Sequence, residues 1–271
     1  MTKKTIVKLL SVVLVLVLGM ATLCACNSSE IKIGVQTNTT GHIYAASDFG
    51  ENAVVSYENG AVAIEALKKG KVDCVIIDNE PAKAYVAKNP GLKILETEYA
   101  VEDYAICFQK GDTEFRNAVN GALKELIADG SVKKIVDKYI NNSGEALVGV
   151  PVKAASTGKP KLVMATNAEF PPYEYIEGDK YYGIDVEVAK LIADKLGYDL
   201  EIANVAFDSI IPGVQSGKYD MGMAGLTVNE EREKQVDFSE SYATGVQVVI
   251  VSEDSKIQSI EDLEPYYLEK D

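Results

Sequence analysis

Residues 161–175 read KLVMATNAEFPPYEY: an apolar run, a polar step, a Phe and a Pro-Pro pair. A stretch of this kind reads like the start of a mature domain, yet it begins after the midpoint of a chain of 271 residues. The order of the parts is therefore the first thing to be explained. Downstream, residues 185–196 place Val186, Val188, Ala189, Ile192 and Ala193 at helical spacing and stop at Gly197, a natural C-cap. Upstream, residues 141–160 (NNSGEALVGVPVKAASTGKP) carry Gly, Pro, Ser and Ala with no amphipathic period and read as a linker.

Beyond the linker the chain alternates strand and helix patterns. Apolar, β-branched runs predict strands over 31–35, 54–57, 74–77, 92–95, 162–165, 200–202 and 246–251. Helical spacing predicts helices over 61–69, 81–88, 117–129 and 131–140, with one more around 260–263. This alternation argues an α/β fold with mostly parallel sheets.

A composition of 47% hydrophobic and 25% charged residues can bury a sizeable core. The formal charge of -14 opposes a nucleic-acid surface, which needs basic groups to neutralise phosphates. At the N-terminus Lys3, Lys4 and Lys8 precede an apolar run over 9–18 and small residues over 21–25, the layout of a secretory signal. The apolar run is short of the ~20 residues that a membrane span needs. Leu23-Cys24-Ala25-Cys26 resembles a bacterial lipobox. That resemblance makes 1–25 a lipoprotein signal, Cys26 the lipidated first mature residue and 26–30 a tether.

Cys74 and Cys107 sit in apolar strand-like runs and read as two buried small hydrophobes, neither a disulfide nor a metal pair. With His42 the only histidine, neither zinc-ligand spacing nor a convincing catalytic triad can be built, and there is no phosphate-binding GxxxxGK[ST] loop. No metal, cofactor or catalytic residue is expected.

Three short motifs carry a stronger signal. Ala224-Gly225-Leu226-Thr227-Val228-Asn229-Glu230-Glu231-Arg232, the turn over 36–41 (QTNTTG) and Asp78 at the end of an apolar strand join the 161–175 stretch. From 161 to about 252 the chain resembles the first part of the polar amino-acid-binding proteins, the solute receptors of bacterial ABC importers. From 31 to about 140 it resembles the remainder of that family, so the order is swapped. The resemblance implies a two-lobed, hinged periplasmic-binding-protein-like fold of type II, circularly permuted. Lobe 2 would be assembled from 31–101 and 252–271, lobe 1 would be 104–249 including the linker, and the two crossings between them would form the hinge.

The same resemblance implies roles. The arginine of the signature, Arg232, would clamp a ligand carboxylate, with Ala224, Gly225 and Thr227 beside it; a planar guanidinium can donate two parallel charge-assisted hydrogen bonds. Thr40 would present the N-terminus of a helix to the same carboxylate. Asp78 would meet the ligand ammonium, Phe170 and Phe207 would cover its aliphatic part, and Asn167 would face its side chain. Glu169 is a further candidate for setting selectivity. The implied protein is a monomeric, extracytoplasmic receptor, lipid-anchored to the bacterial cell membrane, that delivers a free L-amino acid to an ABC permease without breaking a bond. The alternatives are a dehydratase or lyase built on the same fold, a sensory or interaction protein, and a non-functional permuted relic.

Overall fold

The computed structural model describes residues 31–96, 98–153 and 157–268. The expected signal 1–25, the lipidated Cys26 and the tether 26–30 lie outside the described residues, as do 154–156 of the linker and 269–271 of the tail.

The first half runs β1 (Ile33–Gln36), α1 (Thr40–Phe49), β2 (Val54–Tyr57), α2 (Gly60–Lys68), β3 (Cys74–Asp78), α3 (Asn79–Lys88), β4 (Leu92–Ile94) and the long β5 (Ala100–Gln109). β1 lies between β2 and β3, parallel to both. β1 and β3 are buried at every position, which is why both read as continuous apolar runs rather than alternating ones. Side-chain caps set the helix starts: Thr39 accepts from the His42 amide and Asn59 from the Val62 amide.

The second half runs α4 (Thr113–Ala128), α5 (Ser131–Ile140), β6 (Val150–Pro151), β7 (Lys161–Thr166), β8 (Glu169–Phe170), β9 (Glu174–Glu177), β10 (Lys180–Tyr182), α6 (Ile184–Leu196), β11 (Asp199–Asn204), α7 (Ile210–Gln215), β12 (Met221–Gly222), α8 (Glu230–Glu233) and β13 (Val236–Ser252). β7 pairs in parallel with β11 and β12, while β6, β10, β9 and β8 form a separate small antiparallel sheet. α6 ends at Gly197 in the left-handed conformation, as the sequence predicts.

A long antiparallel ribbon joins the halves. β13 pairs with β5 along most of its length and with β3 and β4 near its end, and β5 pairs onward with β12. The ribbon therefore pairs with strands of both halves, and its register shifts fall between Phe238 and Ala243. The tail closes the core around β1: Ile257 and Leu263 are buried in one apolar cluster with Ile31, Ile33 and Val249.

Some predicted bounds change. β13 begins at Val236 rather than 246, because Asp237, Ser239, Glu240 and Ser241 break the apolar run while backbone pairing to β5 holds on either side of the register shifts at 238–243. α4 begins at Thr113 rather than 117, since Asp112 caps it by accepting from the Phe115 amide and its first turn needs no apolar stripe. β1 begins at Ile33 rather than 31, and the last predicted helix is a 3-10 helix, Ile260–Tyr266. The linker is partly ordered into the fold, because Val150–Pro151 pairs with β10.

Candidate functional site

Arg232 is placed by its own helix start. Asn229 caps α8 by accepting from the Arg232 amide at 2.9 Å, and this tight turn sends the side chain inward, where it is only 5% exposed. A place on a solvated face of the charged run NEEREK is thereby excluded. Nη1 donates to the Thr227 carbonyl at 2.8 Å and Nη2 to the Asn38 carbonyl at 3.1 Å, so the guanidinium ties the two halves of the chain together. Its centre stands 5.5 Å from the Phe207 ring centroid, within cation-π range. Burial works against its charge, while the Glu102 carboxylate favours it.

Asp78 occupies the N-cap position of α3 but makes no side-chain capping bond. Its Oδ1 instead accepts from the Tyr104 hydroxyl of β5. Burial, then the negative charge of Glu102, push its carboxyl up to about 8.

Thr40, the first residue of α1, donates its hydroxyl to Glu102 Oε2 at 3.0 Å. The Thr227 hydroxyl and Gln247 Nε2 donate to the same oxygen at 3.1 and 2.9 Å. One buried carboxylate on the ribbon thus gathers donors from both lobes. A further bridge links Gln36 Nε2 to Asn167 Oδ1 at 3.0 Å, and Asn167 Nδ2 donates to the Val205 carbonyl.

Asn167, Phe170, Phe207, Ala224, Gly225, Thr227, Arg232, Thr40 and Asp78 all line one cavity between the lobes, joined there by Gln36, Thr39 and Glu174. Phe170 stacks on Tyr173 at 5.8 Å between centroids. The Gly225 amide donates to Asp185 Oδ2 at 2.9 Å, so this backbone donor serves the protein itself. Glu169 is exposed and does not line the cavity, although its carbonyl accepts from Tyr85 across the cleft at 3.1 Å. Cys74 and Cys107 are both free and buried, and burial raises both thiols, that of Cys107 to about 12.

Sequence reading missed Glu102, Glu174, Asp185, Tyr104 and Gln247. A usable signal existed for one of them. Glu102 shares a strand face with Tyr104, Ile106 and Phe108, so period-2 alternation counted back from these residues points it inward, whereas 247–251 are buried on both faces and no alternation singles out Gln247. Among the described residues no cluster of His, Cys, Asp and Glu could hold a metal ion, and no helix is long and apolar enough to cross a membrane.

Two α/β lobes, a shared antiparallel ribbon and a polar cavity closed between them define a two-lobed protein of the periplasmic-binding type. The profile of bacterial extracellular solute-binding proteins, family 3, matches residues 44–142 and 162–270, and the chain belongs to this family. The chain is 44% identical over 109 residues to the arginine-binding extracellular protein ArtP of Bacillus subtilis, covering 40% of this chain and 43% of that one. It is 27% identical over 106 residues to the cyclohexadienyl dehydratase of Pseudomonas aeruginosa, covering 38% and 40%. An ancestral arginine-binding protein solved with bound arginine is 47% identical over 28% of this chain and 34% of its own, with a TM-score of 0.28. The chain thus spans about two fifths of the length of the curated relatives it matches. Most of these relatives are named for amino-acid binding, and the dehydratase is an enzyme among them.

Proposed function

We propose that this protein is an extracytoplasmic, lipid-anchored receptor that closes its two lobes on a free polar amino acid and hands it to an ABC importer. The observation that carries the reading is the placement of buried Arg232 and buried Asp78 on the walls of one inter-lobe cavity. A free amino acid presents a carboxylate and an ammonium a few ångströms apart, and a guanidinium with an opposing carboxylate is the complementary pair. Phe170 and Phe207 supply apolar walls for the atoms between them.

The lobes are read as 31–101 with 252–271, and 104–249, in circularly permuted order. The split of the family match into 44–142 and 162–270, on either side of the linker, supports the permutation. So does the packing of Ile257 and Leu263 against Ile31 and Ile33, which rebuilds one core from the two ends of the chain. Closure by rotation about the β5–β13 ribbon is the hinge motion of such receptors.

Titration calorimetry of the purified protein against the common L-amino acids, with the solution mass recorded, tests the reading. Saturable binding of one amino acid per monomer is the expected result; no binding by a folded protein overturns it. A second reading, a small-molecule dehydratase, draws support from buried Glu174 in the cavity: burial, then the Asp185 charge, hold its carboxyl above the usual carboxylate range, as befits a group that serves as a general acid. Product formation from a cyclohexadienyl acid would establish it.

A further inference from the structure

Glu102 stands behind the cavity and holds two of the hydroxyls that line it. It lies on β5, 4% exposed and outside the cavity lining. One of its oxygens, Oε2, accepts from Thr40 at 3.0 Å, from Thr227 at 3.1 Å and from Gln247 Nε2 at 2.9 Å. Thr40 opens α1, and Thr227 stands in the 224–232 turn, 187 residues further on. A hydroxyl has one proton to give. Both threonines spend theirs on the same oxygen, so their orientation at the cavity wall is set from behind, with the two hydroxyl oxygens 3.5 Å apart.

The two threonines are held in different ways. Thr227 is tied to the backbone of β5, since the Ala105 amide donates to the Leu226 carbonyl at 3.1 Å and the Val228 amide to the Asp103 carbonyl at 3.0 Å. The turn therefore moves with the strand that carries Glu102. Thr40 reaches the ribbon through its side chain, and Gly41 beside it permits the approach: a Cβ there would lie 3.0 Å from the Ile76 carbonyl oxygen and 3.1 Å from Gln247 Oε1. One turn along α1, Tyr44 stands by the same carboxylate, and burial, then the Glu102 charge, push its hydroxyl up to about 12. The Glu102 charge also favours that of buried Arg232. One carboxylate on the ribbon thus acts on Thr40, Thr227 and Arg232, three residues of the cavity lining.

We infer that Glu102 is a positioning residue for ligand capture: it sets Thr40 and Thr227 at the cavity wall and couples a filled cavity to the closed arrangement of α1 and the 224–232 turn. The inference rests on reading the cavity as an amino-acid site. The three donors converge on Oε2 when α1 and the turn are together, so parting them strips a buried carboxylate of a donor. Hydrogen bonds to a carboxylate are roughly twice as strong as those to a neutral carbonyl, and a buried acceptor left without its donor is costly. A bound ligand is accordingly released no faster than this contact breaks. Gln247 has the same role at one remove: it lies outside the cavity lining and acts on the ligand through Glu102 and Thr40.

The test titrates the parent protein with each of the common L-amino acids and carries those that bind to Glu102→Gln and Gln247→Leu, with rates from stopped-flow tyrosine fluorescence. Glu102→Gln keeps the shape and removes the charge. Affinity is expected to fall at least about ten-fold, with dissociation faster by about that factor and association within about three-fold of the parent. Gln247→Leu is expected to speed dissociation at least about three-fold in the parent and less than about two-fold in the Glu102→Gln background, because both changes act through one oxygen. A role in folding alone would lower the unfolding midpoint and leave both rates of the folded protein as they are. Unchanged dissociation in a folded Glu102→Gln overturns the inference, and so does a full Gln247→Leu effect in that background. If Glu102→Gln does not fold, Gln247→Leu decides: faster dissociation upholds the inference and parent-like dissociation overturns it. Amino-acid binding by the parent with rates indifferent to Glu102 defeats this inference alone, whereas binding of no amino acid defeats the receptor reading with it.

Discussion

Arg232 Nη2 and the carbonyl oxygen of Asn38 meet at 3.1 Å across 194 residues of chain. Asn38 holds φ at 61°, in the left-handed region that Asn tolerates better than most residues. Its carbonyl is thereby fixed where the guanidinium reaches it, while Nη1 is anchored on Thr227. With two donors held by backbone carbonyls, the planar group keeps a set orientation and retains donors for a ligand anion.

Arg232→Lys therefore keeps the charge and loses the geometry. An ammonium on a flexible stem cannot hold the Thr227 and Asn38 carbonyls and a carboxylate in one plane. The loss of one charge-assisted hydrogen bond, ~1.5 to 3 kcal/mol, predicts about 10- to 150-fold weaker amino-acid binding. Titration calorimetry on the variant checks it; affinity within three-fold of the parent would mean that Arg232 does not touch the ligand.

Asp78 is expected to make the ligand-free protein less stable as pH rises. Its carboxyl holds a proton up to about 8 in the folded state against an ordinary value of 3.8, so over that window the folded chain binds more protons than the unfolded one. This contribution is fully present below about 4 and is lost as pH rises through about 8, at a limiting slope of ~1.4 kcal/mol per pH unit. Denaturant melts of the ligand-free protein at about pH 5 and pH 8 are expected to favour the lower pH, and Asp78→Asn is expected to reduce that difference. Equal slopes in parent and variant would show Asp78 ionised in the folded state.

What was legible in the sequence divides along physical lines. Arg232, Thr227 and Thr40 were legible through the family resemblance of 224–232 and 36–41 and not through local spacing, since Arg232 read alone is one more charge in NEEREK. The α/β alternation was legible because β1 and β3 are buried on both faces and read as unbroken apolar runs. Glu102 was hidden because Val101 and Asp103 beside it are exposed, so the local stretch looks like a solvated edge until the alternation is counted from Phe108. Glu174 and Asp185 come together only through the turn at Gly183, and no spacing along the chain announces that two acids will be buried in contact. The length of β13 was hidden too, since its first part gains its place from backbone pairing with β5 rather than from apolar side chains.

Gly245 on β13 leaves room for the Tyr104 ring. A Cβ there would lie 2.1 Å from the Tyr104 hydroxyl oxygen and 2.2 Å from Cζ. Gly245→Ala must displace the ring, and with it the donor to Asp78. Overpacking of this kind costs ~1 to 3 kcal/mol. Urea denaturation measures the cost, and an unchanged midpoint would show that the ring moves aside freely.

Lys138 and Glu187 form an ion pair with each side chain 7% exposed, and Glu187 Oε1 also accepts from the Tyr139 hydroxyl at 2.6 Å and from the Val148 amide at 2.9 Å. One carboxylate thus ties the end of α5 and the linker to α6. Removing Lys138 leaves Glu187 buried with neutral donors alone, and breaking a buried pair from one side costs ~3 to 5 kcal/mol. Lys138→Met is accordingly expected to lower the unfolding free energy by about that amount, and adding Glu187→Gln is expected to recover part of it because no unpaired charge remains. Glu187→Ala in the Lys138→Met background, where no buried charge is left unpaired, removes the acceptor of the Val148 amide, so protease cleavage within 141–160 is expected to quicken several-fold relative to Lys138→Met alone. A Glu187→Gln double variant no more stable than Lys138→Met would show that the pair is not what costs the energy, and unchanged cleavage on adding Glu187→Ala would show that the linker is held by its β6–β10 pairing instead.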